Sequence, residues 1–330
     1  MIYGQRQQIF ASLALGVTQV LIATLSHAQG TGEITNSPTL AQTVEPNIDN
    51  QQDNAIGQSQ AASVLQQDTD HISHIHQNTL EMKLVRIPAG EFLMGSHESQ
   101  EQVAKAFLKE KPEIFRNEHP LRRVTIARSF YIGTTEVTVG QYRQFVDATA
   151  YQTQAEKGQM GKAATAVKFE DGVSWRTPLN PKTDADENHP VAVVTYHDAV
   201  KFCEWLSQEE GRTYRLPTDA EWEYAARAGT QTRYWNGNSP RKLAEVANIP
   251  DVSRSREFAK TFAPSEVGFS HSGGDDGFVS FAPVGSYPAN LWGLHDVHGN
   301  VWEWCSVADP DSLQIANTED VAVIRGGCFY

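Results

Sequence analysis

Gly293-Leu294-His295-Asp296-Val297-His298-Gly299-Asn300-Val301-Trp302-Glu303-Trp304 is the stretch on which the reading of this chain turns. Gly299-Asn300 is a turn pair, because both residue types tolerate left-handed backbone. Trp302 and Trp304 then recur with period two, the spacing of a strand. Asp296 and Glu303 put one carboxylate on each side of the turn. Just beyond, Val321 to Ile324 reads as a further strand, followed by Arg325-Gly326-Gly327.

Working back from that stretch, three helices are announced by their caps. Thr138-Val139-Gly140-Gln141 is a capping box opening Tyr142 to Ala148, with Val139, Tyr142, Phe145 and Val146 on one face. Thr195 to Asp198 is a weaker box, opening a helix that carries Val200, Cys203 and Leu206 and ends at Gly211. Thr218 to Glu221 is a full box for Trp222 to Ala228, stopped by Gly229. Nearer the start, Lys83 to Ile87 and Glu91 to Ser96 alternate around Pro88-Ala89-Gly90, which predicts a β-hairpin. Val124 to Ile126 and Phe130 to Ile132 are strand-like. Tyr151 to Asn188 is polar and punctuated by Gly and Pro, a long loop.

The chain has 330 residues, 40% hydrophobic and 9% aromatic, enough for one large globular domain. A formal charge of −13 argues against nucleic acid and anionic membrane as partners. Three cysteines are too few for a disulfide-dense scaffold. At the N-terminus, Ile9 to Leu25 is mostly apolar and Ser26-His27-Ala28 is a small-residue cleavage site. Residues 1–28 therefore read as a signal peptide, short of the ~20 apolar residues that span a bilayer. The mature chain is then expected to be periplasmic or secreted, with no stable membrane insertion. Residues 29–80 are polar, glutamine-rich and free of aromatics, Lys and Arg, a composition that predicts a disordered linker. His71, His74 and His76 near its end are read as solvated rather than metal-binding, since no Cys, Asp or Glu stands at ligand spacing. Residues 81–330 are the folded domain.

Gly-Asn-Val-Trp-Glu-Trp at 299–304 resembles the signature of the sulfatase-modifying-factor family, that of the formylglycine-generating enzyme. Ile87 to Ser96, Thr134 with Glu136 to Thr138, Pro190 to Tyr196, and Tyr214 to Arg227 resemble the same family in order. The resemblance runs from about Glu81 to Gly327. It implies an α+β, C-type-lectin-like fold with low regular secondary structure and long loops.

The resemblance also implies two structural calcium ions. The first matches Asn248, the carbonyl of Ile249, Asp276 and the carbonyl of Phe278. The second matches Asp296, the carbonyls of Gly299 and Val301, and Glu303. Hard oxygens of this kind are what Ca²⁺ takes. On residues alone, without the resemblance, Asp275-Asp276-Gly277 reads as an ordinary surface turn and Glu303 as a solvated strand residue.

The family's copper(I) site needs a pair of thiolates. The resemblance places that pair just beyond Arg325-Gly326-Gly327, where this sequence has Cys328 in place of Ser and then ends at Tyr330. No catalytic residue is assigned, and copper is expected only in a longer chain that carries the missing cysteines. The domain is accordingly expected to be incomplete at its C-terminus. Cys328 is read as a small buried residue. Cys203 is free to pair with Cys305 or Cys328, or to stay reduced. Trp302 and Trp304 are read as core rather than as a ligand platform. Two functions follow as expectations. One is an exported protein resembling the enzyme that oxidises a sulfatase cysteine to formylglycine, with a protein or peptide substrate. The other is a non-catalytic, calcium-stabilised, lectin-like binding or scaffold protein.

Overall fold

The helices start where the capping boxes stand. The structure is a computed structural model that describes residues 75–106, 111–158, 172–179, 184–251, 274–306 and 322–329, and the backbone of 18–20 and 23–25. In chain order the elements are β1 (Thr18–Val20), β2 (Ala23–Leu25), β3 (Ile75–Gln77), β4 (Lys83–Ile87), β5 (Gly90–Met94), α1 (Gln100–Ala106), β6 (Arg122–Ile126), β7 (Phe130–Gly133), α2 (Val139–Thr149), α3 (Tyr196–Glu210), β8 (Tyr214–Arg215), α4 (Asp219–Arg227), β9 (Trp302–Cys305) and β10 (Val323–Arg325). The hydroxyls of Thr138, Thr195 and Thr218 accept the backbone N–H of Gln141, Asp198 and Glu221. The side chains of those three residues accept the N–H of the threonine in return, so two otherwise orphaned donors per helix are satisfied. α3 ends at Gly211 with a left-handed φ of 63°. α4 turns left-handed one residue before Gly229, at Ala228.

The strands form a five-stranded sheet of order β3-β4-β7-β2-β8, a three-stranded sheet of order β1-β9-β10, and the pair β5-β6. The sheet edges meet where Ser306 N donates to Pro217 O at 2.8 Å and Asp219 N to Ser306 O at 3.2 Å. Alternation along β4 explains the layering. Leu84 packs with α2 and α3 on one face, while Val85 and Ile87 pack with α4 on the other. β9 repeats this, with Trp304 in the first cluster and Cys305 in the second. The first cluster is aromatic, with Tyr142 stacked on Phe202 at 5.6 Å and edge-on to Trp175 at 5.3 Å. No helix among the described residues is long and apolar enough to cross a membrane.

Two expectations change. β4 and β5 are strands, but they do not pair with each other. β4 lies between β3 and β7, and β5 pairs with β6. The Pro88-Ala89 corner carries the chain into a different sheet, which is where its apolar faces are covered. The linker assigned to 29–80 also ends earlier, because Ile75–Gln77 adds β3 to the edge of β4. His76 there faces Arg212 across 2.7 Å, while His71 and His74 lie outside the described residues. Within the region read as a signal peptide, β1 runs parallel to β9 and β2 lies antiparallel between β7 and β8.

Candidate metal centre and adjoining cavity

The Gly299-Asn300 turn has both residues in left-handed backbone, with φ of 82° and 54°. Gly is required at 299, since a Cβ there would overlap the carbonyl of Asn248. That close approach brings Asn300 N onto Asn248 O at 2.7 Å. The Asn300 side chain then forms a four-bonded hub with no exposed surface. It accepts from Asn248 Nδ2 at 2.9 Å and from Ala282 N at 3.0 Å. It donates to Glu136 Oε1 at 2.9 Å and to Ala282 O at 3.3 Å.

Around this hub the chain buries three carboxylates, Glu136, Asp296 and Glu303, each 2% exposed or less. Asp296 Oδ2 accepts from Gly285 N at 2.6 Å, and Glu303 Oε2 accepts from Trp222 Nε1 at 2.6 Å. Glu136 Oε2 and Asp296 Oδ1 have no donor facing them among the described residues. Burial pushes all three carboxyls up, and their mutual charges add to the effect at Glu136 and Glu303, the latter reaching about 8. No basic side chain of the described residues makes an ion pair with any of them.

The first predicted ligand set also comes together. Asp276 accepts from Ile249 N at 2.7 Å through one oxygen and from Phe278 N at 2.9 Å through the other. Burial lifts the Asp276 carboxyl to about 6, against those two bonds. Asn248 spends its amide N–H on Ser280 O at 2.8 Å, and its Oδ1 is buried without a partner. Asp251, fully buried, accepts from Asp276 N at 2.7 Å. The eight predicted positions lie on three segments, 248–249, 276–278 and 296–303, and the first and last touch at Asn248 and Asn300. Among the described residues no three His, Cys, Asp or Glu side chains converge as a metal site.

Sequence reading missed Glu136, Asn300 and Asp251 as parts of this cluster. Glu136 is visible in the sequence only as an acid beside a helix cap. What places it here is the pairing of His295 N with Thr134 O at 2.8 Å, which no local pattern encodes.

Beside β9 and β10 lies a cavity of about 950 Å³. Trp222, Tyr234, Trp235, His298, Trp302 and Cys328 line it, together with Arg227 and Arg325. The two tryptophans of β9 thus part company. Trp304 is core, 4% exposed, with its Nε1 donating to Val194 O at 3.0 Å, while Trp302 is half-buried at the cavity wall. Cys328 is half-buried too, not sealed as expected, because the left-handed Gly326-Gly327 turn swings it to the cavity. Cys203 and Cys305 are buried and unpaired, and burial pushes both thiols far up, Cys203 to about 12. His298 lines the cavity as a neutral acceptor, taking Trp235 N at 3.2 Å, with burial and then Arg227 lowering it to about 4. Ion pairs border the cavity: Arg227 with Glu223 at 2.8 Å, Arg325 with Glu223 at 3.2 Å and with Asp219, and Arg233 with Glu98 at 2.7 Å.

The sequence profile of the sulfatase-modifying factor enzyme 1-like domain family matches residues 71–330. The formylglycine-generating enzyme of Mus musculus is 35% identical over 248 residues, covering 68% of this chain and 58% of that protein. That of Mycobacterium tuberculosis is 32% identical over 253 residues, covering 67% and 73%. A Mus musculus protein named inactive C-alpha-formylglycine-generating enzyme 2 is 29% identical over 272 residues, covering 74% of each. The chain thus spans less than two thirds of the mouse formylglycine-generating enzyme. With its α+β architecture, long loops and the motif segments in order, the chain belongs to the sulfatase-modifying factor enzyme 1-like domain family.

Proposed function

We propose that the domain receives a cysteine-bearing segment of a protein substrate in the cavity beside Trp302, and that two calcium ions hold the loops that shape that cavity. One observation carries the reading: the buried carboxylates and the cavity wall share the same elements. Glu303 neighbours Trp302 on β9 and accepts from Trp222, another cavity residue. Gly299 N donates to Gly326 O at 2.9 Å, tying the carboxylate turn to the cavity turn.

The donor chemistry supports calcium. Three oxygens, Asn248 Oδ1, Asp296 Oδ1 and Glu136 Oε2, are buried with no donor facing them. A buried acceptor left unpaired costs about 1–3 kcal/mol, and a hard cation removes that cost. The first ion would rest on Asn248, Asp276 and the carbonyls of Ile249 and Phe278. The second would rest on Asp296, Glu303 and the carbonyls of Gly299 and Val301, with Glu136 beside them. Bound there, calcium supplies rigidity to loops with few ladder hydrogen bonds. The apolar run Ile9 to Leu25, followed by the small-residue site Ser26-His27-Ala28, supports export to the periplasm or beyond.

Copper does not fit the described residues. Cu(I) favours paired thiolates, and only Cys328 of the three thiols meets the cavity. That same observation favours a second reading, a calcium-held binding or scaffold protein that captures a partner without oxidising it.

Tryptophan fluorescence of the full chain, titrated with a cysteine-containing peptide from a sulfatase, tests the first reading. Binding that needs calcium and disappears in Trp302→Phe supports it; no binding in saturating calcium overturns it. Mass spectrometry of the bound peptide under oxygen and copper(I) separates the readings, since an aldehyde in place of the thiol argues for oxidation and an unchanged peptide for capture.

A further inference from the structure

Glu136 stands outside the eight positions that the family resemblance supplies, on a separate segment between β7 and α2. Backbone bonds fix that segment at both ends. Thr134 N donates to Lys83 O at 2.9 Å, and Thr134 O accepts from His295 N at 2.8 Å, so the segment runs against the residue before Asp296. At the far end Val139 N donates to His189 O at 2.9 Å as α2 begins. The Glu136 side chain between these ties is 1% exposed.

Its two oxygens are used differently. Oε1 accepts from Asn300 Nδ2 at 2.9 Å, which anchors the carboxyl. Oε2 is buried with no donor facing it. Asp296 lies within side-chain bonding reach, and the charge of Glu303 also bears on Glu136. Asp296 divides its oxygens the same way: Oδ2 takes Gly285 N at 2.6 Å and Oδ1 has no donor. Asp296 also holds a left-handed φ of 55°, a conformation that few non-glycine residues adopt. Two unpartnered oxygens from different segments thus come together beside Glu303. A glutamine at 136 would meet Asn300 as well, with no charge to bury. A water would give protons to these oxygens but leave the carboxylate charges uncompensated; a divalent cation meets both needs.

We propose that Glu136 is itself a ligand of the second ion, binding through Oε2. The inference rests on the calcium reading above and adds to it a carboxylate from a further part of the chain. The second site then carries three carboxylates, Glu136, Asp296 and Glu303, against Asp276 alone among the ligands of the first. A higher ligand charge raises affinity for calcium. The ion also ties the entry of α2 to the Gly299-Asn300 turn, so two segments far apart in sequence are ordered by one binding event.

Glu136→Gln tests the proposal, because it keeps the size of the side chain and an oxygen for Asn300 and removes the charge. The probe is terbium(III), a hard cation that takes the same oxygens, added to the chelator-stripped full chain. It is excited through tryptophan, since Trp222 Nε1 donates to Glu303 at 2.6 Å. Asp276→Asn is carried in every sample so that the second site alone reports. The expected result in Glu136→Gln is an affinity lower by about tenfold or more, with about one more terbium-bound water read from luminescence lifetimes in H₂O and D₂O. Unchanged affinity overturns the proposal. So does a lower affinity with an unchanged water count, which makes Glu136 a charged neighbour of the ion rather than a ligand. Binding that is lost in Glu303→Gln and kept in Glu136→Gln overturns this inference alone; failure of the unaltered chain to bind calcium or terbium overturns the calcium reading with it. Hydrogen exchange on the unaltered chain gives a result that does not depend on a variant folding. Calcium should raise protection about tenfold or more at the N–H groups of Thr134 and Val139 as well as Asn300. A gain confined to Asn300 overturns the proposal.

Discussion

Two clusters of charge, one part-buried and one fully buried, adjoin β9 and β10, and they are resolved in opposite ways. On the cavity side, Asp219 and Glu223 face Arg227 and Arg325 in closed ion pairs. Burial alone would lower the Arg325 guanidinium, but Asp219 and then Glu223 more than reverse it. In the second cluster, the hydrogen-bond donors that Glu136, Asp296 and Glu303 meet among the described residues are neutral: Asn300, Gly285 N–H and Trp222. A buried carboxylate is tolerated where the chain supplies its own counter-charge. Where the chain supplies none, the folded state needs either protons or a cation from outside. The first cluster is a finished ion-pair network; the second is the proposed calcium socket.

The largest effect should come from breaking the hub of the socket. Asn300→Ala removes four hydrogen bonds at a fully buried position and strips Glu136 of its donor. Urea denaturation should show a loss of about 4 kcal/mol. A loss below about 1 kcal/mol would mean that the segments meeting at Asn300 are held by something else.

Breaking the finished network should cost somewhat less. Arg325→Met leaves Asp219 without its guanidinium, although Glu223 keeps Arg227 and the Gly95 N–H. The expected loss is about 3 kcal/mol by the same measurement, independent of calcium. Calcium dependence in this variant would merge the two clusters into one system and undo the comparison.

Glu303→Gln sharpens the contrast from the other side. The amide keeps an oxygen for Trp222 N–H but gives up the charge. In chelator its stability should match or exceed that of the parent. In calcium the parent should gain about 2.7 kcal/mol at a hundredfold excess over Kd, and the variant should not. An equal calcium response in both would remove Glu303 from the ligand set.

Glu221 gives a smaller, pH-dependent effect. Burial raises its carboxyl, but the bidentate Arg215 pair, at 2.7 and 2.8 Å, and Thr218 pull it below its ordinary value. A lowered folded pKa gives stability that is present above the unfolded value near 4.5 and is lost as pH falls through the folded one. Glu221→Gln should flatten the acid limb of the stability curve by about 1 kcal/mol while changing little of its slope above about pH 6. An unaltered acid limb would show that another carboxylate dominates it. Smallest of all, Arg123→Ala breaks a pair with Glu91 whose side chains are 70% and 52% exposed, and the melting temperature should barely move, by less than about 0.5 kcal/mol in stability.

What the sequence reveals follows from the range of each interaction. The caps at Thr138, Thr195 and Thr218 are three-residue patterns, and all three are legible. The period-two spacing of Trp302 and Trp304 is enough to predict β9. It is not enough to tell which tryptophan faces the core, since that depends on the layers either side of the sheet. β4 and β5 are legible as strands but not as members of different sheets, because β4 pairs with β7 more than forty residues away. The eight candidate ligands come from the family resemblance. Glu136 joins them through a bond to Asn300 at a separation of 164 residues, beyond any local pattern. Cys328 reads as sealed in the sequence because a double-glycine turn leaves the direction of the next side chain open.

Calorimetric titration of calcium into the chelator-stripped full chain, paired with its thermal unfolding, addresses the socket most directly. The expected result is saturable binding, a rise in Tm with calcium and no such rise in Glu303→Gln. Absence of binding heat, with a Tm unmoved by calcium or chelator, would contradict the socket and leave the three buried carboxylates to be satisfied by protons alone.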